Sequence, residues 1–123
     1  MCRALLIAVL ICAAAFSRDA AARDAAGCAA RLDGKLFSYM ELPVGSPDGK
    51  NGTIAQNGSV FDAAGKHGRD LFPLADEADV FLRCHYEGGR TIVAPVPPGT
   101  RQCEVDYHYI NDHDTRADRI FCR

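Results

Sequence analysis

Four cysteines, Cys28, Cys84, Cys103 and Cys122, constrain this 123-residue chain more than any other feature, because two of them, Cys84 and Cys103, fall within strand-like alternation. Val80, Leu82, Cys84 and Tyr86 alternate with Phe81, Arg83 and His85. Cys103, Val105, Tyr107 and Tyr109 alternate with Gln102, Glu104, Asp106 and His108. A period of two puts each set on one face of an extended strand. Glu87-Gly88-Gly89, Pro97-Pro98-Gly99 and the polar run Asn111-Asp112-His113-Asp114 punctuate these stretches. The β-branched residues 91–93 and the segment 119–122 complete the set. The expectation is a four-strand antiparallel meander at the C-terminal end, flat or curled. Its apolar face carries Cys84 and Cys103, and its polar face is solvated.

That geometry limits the cysteine pairing. Neighbouring strands lie about 4.8 Å apart, and a disulfide needs Cα atoms within about 7 Å. In a flat meander Cys84 and Cys103 are a whole strand too far apart. Cys103 and Cys122 lie nearly symmetrically about the Asp112-His113 turn, which favours their bond and leaves Cys28 for Cys84. A sheet closed like a barrel would instead permit Cys84–Cys122 with Cys28–Cys103.

The other two cysteines, Cys2 and Cys12, belong to a different kind of segment. Residues 4–16 are apolar and uncharged, follow Arg3, and precede Ala20-Ala21-Ala22. A basic start, a short apolar run and an Ala-x-Ala site read as a signal peptide over 1–22, with one small exported domain over 23–123. The apolar run is too short to span a bilayer. Ile11 before Cys12 is too large for a lipoprotein site. Removal of Arg3, Arg18 and Asp19 leaves 12 basic against 15 acidic residues, about −3. This balance argues against nucleic-acid binding. Four cysteines in a small exported chain read as two disulfides.

Upstream, the signals are weaker. Residues 23–30 are Ala-rich and charged, a frayed start or a helical turn. Residues 35–42 alternate and read as a strand ended by Pro43. From 45 to 68 six glycines and Pro47 mark a long Gly-rich loop, with a weak hairpin at Asn57-Gly58. Asn51-Gly52-Thr53 and Asn57-Gly58-Ser59 match the glycosylation acceptor pattern but are read as turns. Residues 75–78 read as one helical turn.

The run Phe81-Leu82-Arg83-Cys84-His85-Tyr86-Glu87-Gly88-Gly89, then Pro97-Pro98-Gly99, Cys103-Glu104-Val105 and Phe121-Cys122-Arg123, with Gly45-Ser46-Pro47 upstream, resembles a group of small exported bacterial proteins of uncharacterised function. The resemblance covers about 40 residues and is carried by cysteines, turn glycines and strand residues. It implies a periplasmic or secreted β-rich domain rather than a reaction, and a bacterial source.

His108 and His113, with Asp106, Asp112 and Asp114 nearby, offer metal ligands without a standard spacing, and a solvated turn is the preferred reading. Cys84 and His85 are adjacent in one strand and point to opposite faces, so they form no catalytic dyad. Glu104 and Asp106 share a strand face with His108 and could do acid–base work if buried. The expectation is that they lie on the solvated face. Tyr86, Tyr107 and Tyr109 are either core residues or contact groups. The fold expected is mainly β, with sites limited to the four cysteines, no cofactor and no catalytic residue. The function expected is a non-enzymatic envelope or secreted interaction protein whose partner is another exported or host protein. A small secreted enzyme and a histidine-based metal carrier are the rivals.

Overall fold

The structure, a computed structural model, describes residues 26–77 and 79–123. The signal segment and residues 23–25 lie outside the described residues. Among the described residues there are nine strands and no helix. These are β1 (Ala26–Cys28), β2 (Arg31–Leu32), β3 (Lys35–Glu41), β4 (Ser59–Phe61), β5 (His67–Pro73), β6 (Phe81–Tyr86), β7 (Thr91–Pro95), β8 (Gln102–Tyr109) and β9 (Thr115–Cys122). They form two antiparallel sheets, one ordered β1-β9-β8-β5-β4 and the other β2-β3-β6-β7.

The sheets share one core. Met40, Leu82, Cys84 and Tyr86 face it from one sheet, and Cys103, Val105, Ile120 and Cys122 from the other. Leu42, Leu74, Val80 and Val96 fill in from the connections. The alternation in β6 holds throughout: Leu82, Cys84 and Tyr86 are buried and the residues between them are half-buried.

All four C-terminal strands form, but as two hairpins in different sheets. β6 pairs with β7, and β8 pairs with β9. Pro97-Pro98-Gly99 breaks the chain between them, with Gly99 at φ 85°. On its other side β8 pairs with β5, whose first two residues end the stretch expected as a Gly-rich loop. Residues 26–28 form β1, neither a frayed end nor a helical turn, because they pair along β9. Residues 74–77 make a turn with Ala75 at positive φ, not a helical one. Asn57-Gly58 does not close a hairpin; β4 runs forward and pairs with β5 around residues 62–66.

Cys103 and Cys122 are directly paired across β8 and β9 and disulfide-bonded, with Cα atoms 3.9 Å apart. Cys28–Cys84, with a Cα separation of 6.6 Å, joins β1 of one sheet to β6 of the other. The flat-hairpin pairing is therefore the one present. One bridge staples a hairpin and the other staples the two layers. Two disulfides suit an oxidising compartment. No helix among the described residues is long and apolar enough to cross a membrane.

Candidate functional site

The outer face of the five-stranded sheet departs from a simple solvated surface. Register sets Leu71, Glu104 and Phe121 side by side across β5, β8 and β9. One step along, Arg69, Asp106 and Arg119 form a parallel row. Phe121 is only 1% exposed, with the Arg119 guanidinium 4.0 Å from its ring centroid and that of Arg123 at 5.6 Å. Such stacked guanidiniums shield a ring while keeping their charge in contact with water.

Glu104 beside it is also 1% exposed. The expectation that it lies on a solvated face is corrected here. It is enclosed because both its cross-strand neighbours are apolar and because arginine guanidiniums lie over Phe121. A carboxylate in such a place is costly unless its oxygens find donors. Oε1 accepts from Gln102 Nε2 and, at 3.1 Å, from Arg123 Nη2. Oε2 has no hydrogen-bond partner among the described residues. The Nε of Arg69 is 3.4 Å away from it. That N–H donates instead to Asp106 Oδ1 at 2.6 Å, while Nη2 donates to Oδ2 at 3.2 Å. This two-pronged bond to Asp106 raises the Arg69 pKa.

A cleft of about 590 Å³ opens over this group. Its walls include Val60, Phe61, Leu71 and Tyr107, and its polar lining includes Arg69, Glu104, Asp106 and Arg123. Val60 and Phe61 belong to the edge strand β4 and are each more than half exposed. At the rim His67 Nδ1 meets Asp62 Oδ2 at 3.1 Å, and His108 Nδ1 meets Asp118 Oδ1 at 2.7 Å. Hydrogen bonds from the backbone and ring of His67 hold the Asp62 carboxyl below its ordinary pKa. Tyr107 lies over Gly68, where any Cβ would stand 2.4 Å from the ring. Burial, aided by the charge of Asp70, pushes the Tyr107 phenol up to about 12.

The expected candidates are distributed as follows. Asp106 and Glu104 do share a face. His108 engages Asp118, while the backbone N–H of His113 closes the turn on Asn111, so the two histidines serve different elements. Among the described residues no group of three or more His, Cys, Asp or Glu side chains is placed to hold a metal ion. Of the tyrosines, Tyr86 is a core residue whose hydroxyl donates to the Ala29 carbonyl at 2.8 Å, while Tyr109 is 37% exposed. Arg69, Gln102, Phe121 and Arg123 were not anticipated. The Cys103–Cys122 pairing carried a usable signal for Phe121. With those cysteines opposite each other, Glu104 must face Phe121 across the ladder.

A second polar cluster lies on the outer face of the four-stranded sheet. His85 Nε2 meets Glu41 Oε1 at 2.5 Å, and its Nδ1 is 3.3 Å from Thr91 Oγ1. The Tyr39 ring stacks on the imidazole at a centroid distance of 4.2 Å. Cys84 points the other way, into the core and its disulfide.

Comparison with protein-family models, curated proteins and solved structures finds no match to this chain.

Proposed function

We propose that this chain is an exported, periplasmic or secreted binding protein without catalytic activity, and that the Glu104 cleft is its recognition site. The observation that carries this reading is the buried Glu104 carboxylate with one oxygen unsatisfied at an open cleft. A fold that only needed stability would place an apolar side chain between Leu71 and Phe121. A buried acceptor without a donor is costly on its own and becomes favourable when a ligand completes it. The cleft volume lies within the range of small-molecule and side-chain pockets. Export is supported by the leader-like segment and by two disulfides in a small domain.

The test is a titration of the disulfide-intact protein with a fragment set spanning amines, sugars, carboxylates and phosphates, followed by backbone amide resonances. Binding that moves the amides of Gly68, Leu71, Glu104 and Tyr107 supports the reading. A set in which no class moves them overturns it. Mass spectrometry of the secreted product should find a mature chain starting near Arg23.

A small secreted hydrolase is the second reading, favoured by the chain Thr91–His85–Glu41, which has the order hydroxyl, base, acid. Turnover of p-nitrophenyl acetate that is abolished by Thr91→Ala and by His85→Ala would establish it. Turnover equal to that of free imidazole would remove it.

A further inference from the structure

Resting on the Glu104 cleft as a ligand site, we infer that the group it recognises is a protonated alkylamine, as on a lysine side chain or a free alkyl amine.

The first argument is donor balance. Glu104 Oε2 accepts from no group among the described residues, and the Arg69 Nε–H, 3.4 Å away, is directed at Asp106. A ligand that completes the site must therefore bring a donor. A carboxylate or phosphate would set acceptor against acceptor.

The second argument is charge. The cleft is lined by the carboxyl groups of Asp62, Glu104, Asp106 and Asp118 against the guanidiniums of Arg69 and Arg123 and one imidazole, His67. Both guanidiniums are already engaged, Arg69 by Asp106 and Arg123 by Oε1. A cationic donor is favoured over a neutral hydroxyl, because a charge-assisted hydrogen bond is about twice as strong.

The third argument is shape. Only one oxygen of Glu104 lacks a donor, since Oε1 is taken by Gln102 and Arg123. A guanidinium prefers both oxygens of a carboxylate at once. An ammonium is a point charge and needs one. Leu71, Val60, Phe61 and Tyr107 then offer an apolar wall to the methylene stem behind it.

The experiment titrates the disulfide-intact protein with four probes: Nα-acetyl-lysine N-methylamide, its Nε-acetylated form, pentylamine and pentan-1-ol. Both amines are expected to shift the Leu71, Glu104 and Tyr107 amides. The two neutral probes should bind at least about tenfold more weakly. Glu104→Gln, which keeps the size and removes the charge, should weaken the lysine probe by at least about tenfold. Phe61→Ala should weaken pentylamine by about threefold to tenfold through lost stem contact. Tighter binding of the lysine probe than of pentylamine assigns the ligand to a protein side chain, and the reverse order assigns it to a free amine. Equal affinity for amine and neutral probes overturns the inference, and so does an unchanged affinity in Glu104→Gln. If only sugars or anions move these amides, the amine inference falls while the binding-protein reading stands. The wild-type comparison decides the matter even if a variant does not fold.

Discussion

Glu104 and Phe121 face each other across the β8–β9 ladder, and each is about 1% exposed although both point away from the disulfide-bearing core. The five-stranded sheet is thus buried on two faces at this point. One face is closed by the opposing sheet. The other is closed by arginine guanidiniums over an aromatic ring and beside a carboxylate.

Replacing Glu104 by Met is expected to leave stability within about 1 kcal/mol of the parent, or to raise it. Oε2 is unsatisfied, and the partner arginines are roughly half exposed, at 43% and 57%, so water can take over their charge. Thermal and urea denaturation check this. A loss above about 3 kcal/mol would mean that the carboxylate is structural, since breaking a satisfied buried pair costs that much.

The two disulfides should differ in worth. Cys28–Cys84 closes 56 residues and Cys103–Cys122 closes 19. The loop-entropy relation gives about 4 and about 3 kcal/mol respectively. Cys28→Ala with Cys84→Ala should therefore cost more than Cys103→Ala with Cys122→Ala, and it also unties the two sheets. Guanidinium unfolding of the two double variants gives the order directly.

Gly68→Ala should force the Tyr107 ring aside, since the new Cβ would fall 2.4 Å from it. The ring end can swing, so a cost of about 1–2 kcal/mol is expected, at the low end for overpacking. The phenol would then move from about 12 towards the ordinary tyrosine value. Absorbance titration of the phenolate reads that shift, and Tyr107→Ala in the same chain should relieve part of the cost.

Alkaline pH should weaken the fold in a defined window. Tyr107 holds its proton more tightly when folded than when unfolded, with a folded pKa of about 12 against a model-peptide value of 10.0. Its contribution is present in full below pH 10 and is lost as pH rises from about 10 towards 12. Tyr86, also raised by burial, acts in the same direction. Urea midpoints measured across that range should fall, and Tyr107→Phe should flatten the fall.

Much of this architecture could be read along the chain. The alternation of Leu82, Cys84 and Tyr86 located a core face, and the symmetry of Cys103 and Cys122 about their turn located a disulfide. Other features could not be read this way. β1 contains Ala26-Gly27-Cys28, which has no strand signature and becomes a strand only by lying along β9. β5 carries Pro73 and only two large apolar residues, Leu71 and Phe72, yet it is the inner partner of β8. At Glu104 the residue type argued for solvent, whereas burial was decided by Leu71 and Phe121, which are distant in sequence.

By itself the sequence determined local matters: extended segments, glycine and proline turns, and which cysteines could reach each other within one hairpin. These depend on neighbours a few residues away, where backbone sterics and side-chain period suffice. Tertiary structure decided which hairpin joined which sheet, and so which face of β8 was covered twice. Non-local strand pairing brings together residues such as Arg69, Glu104 and Phe121, and no short-range pattern records that meeting. The cleft exists because of that pairing.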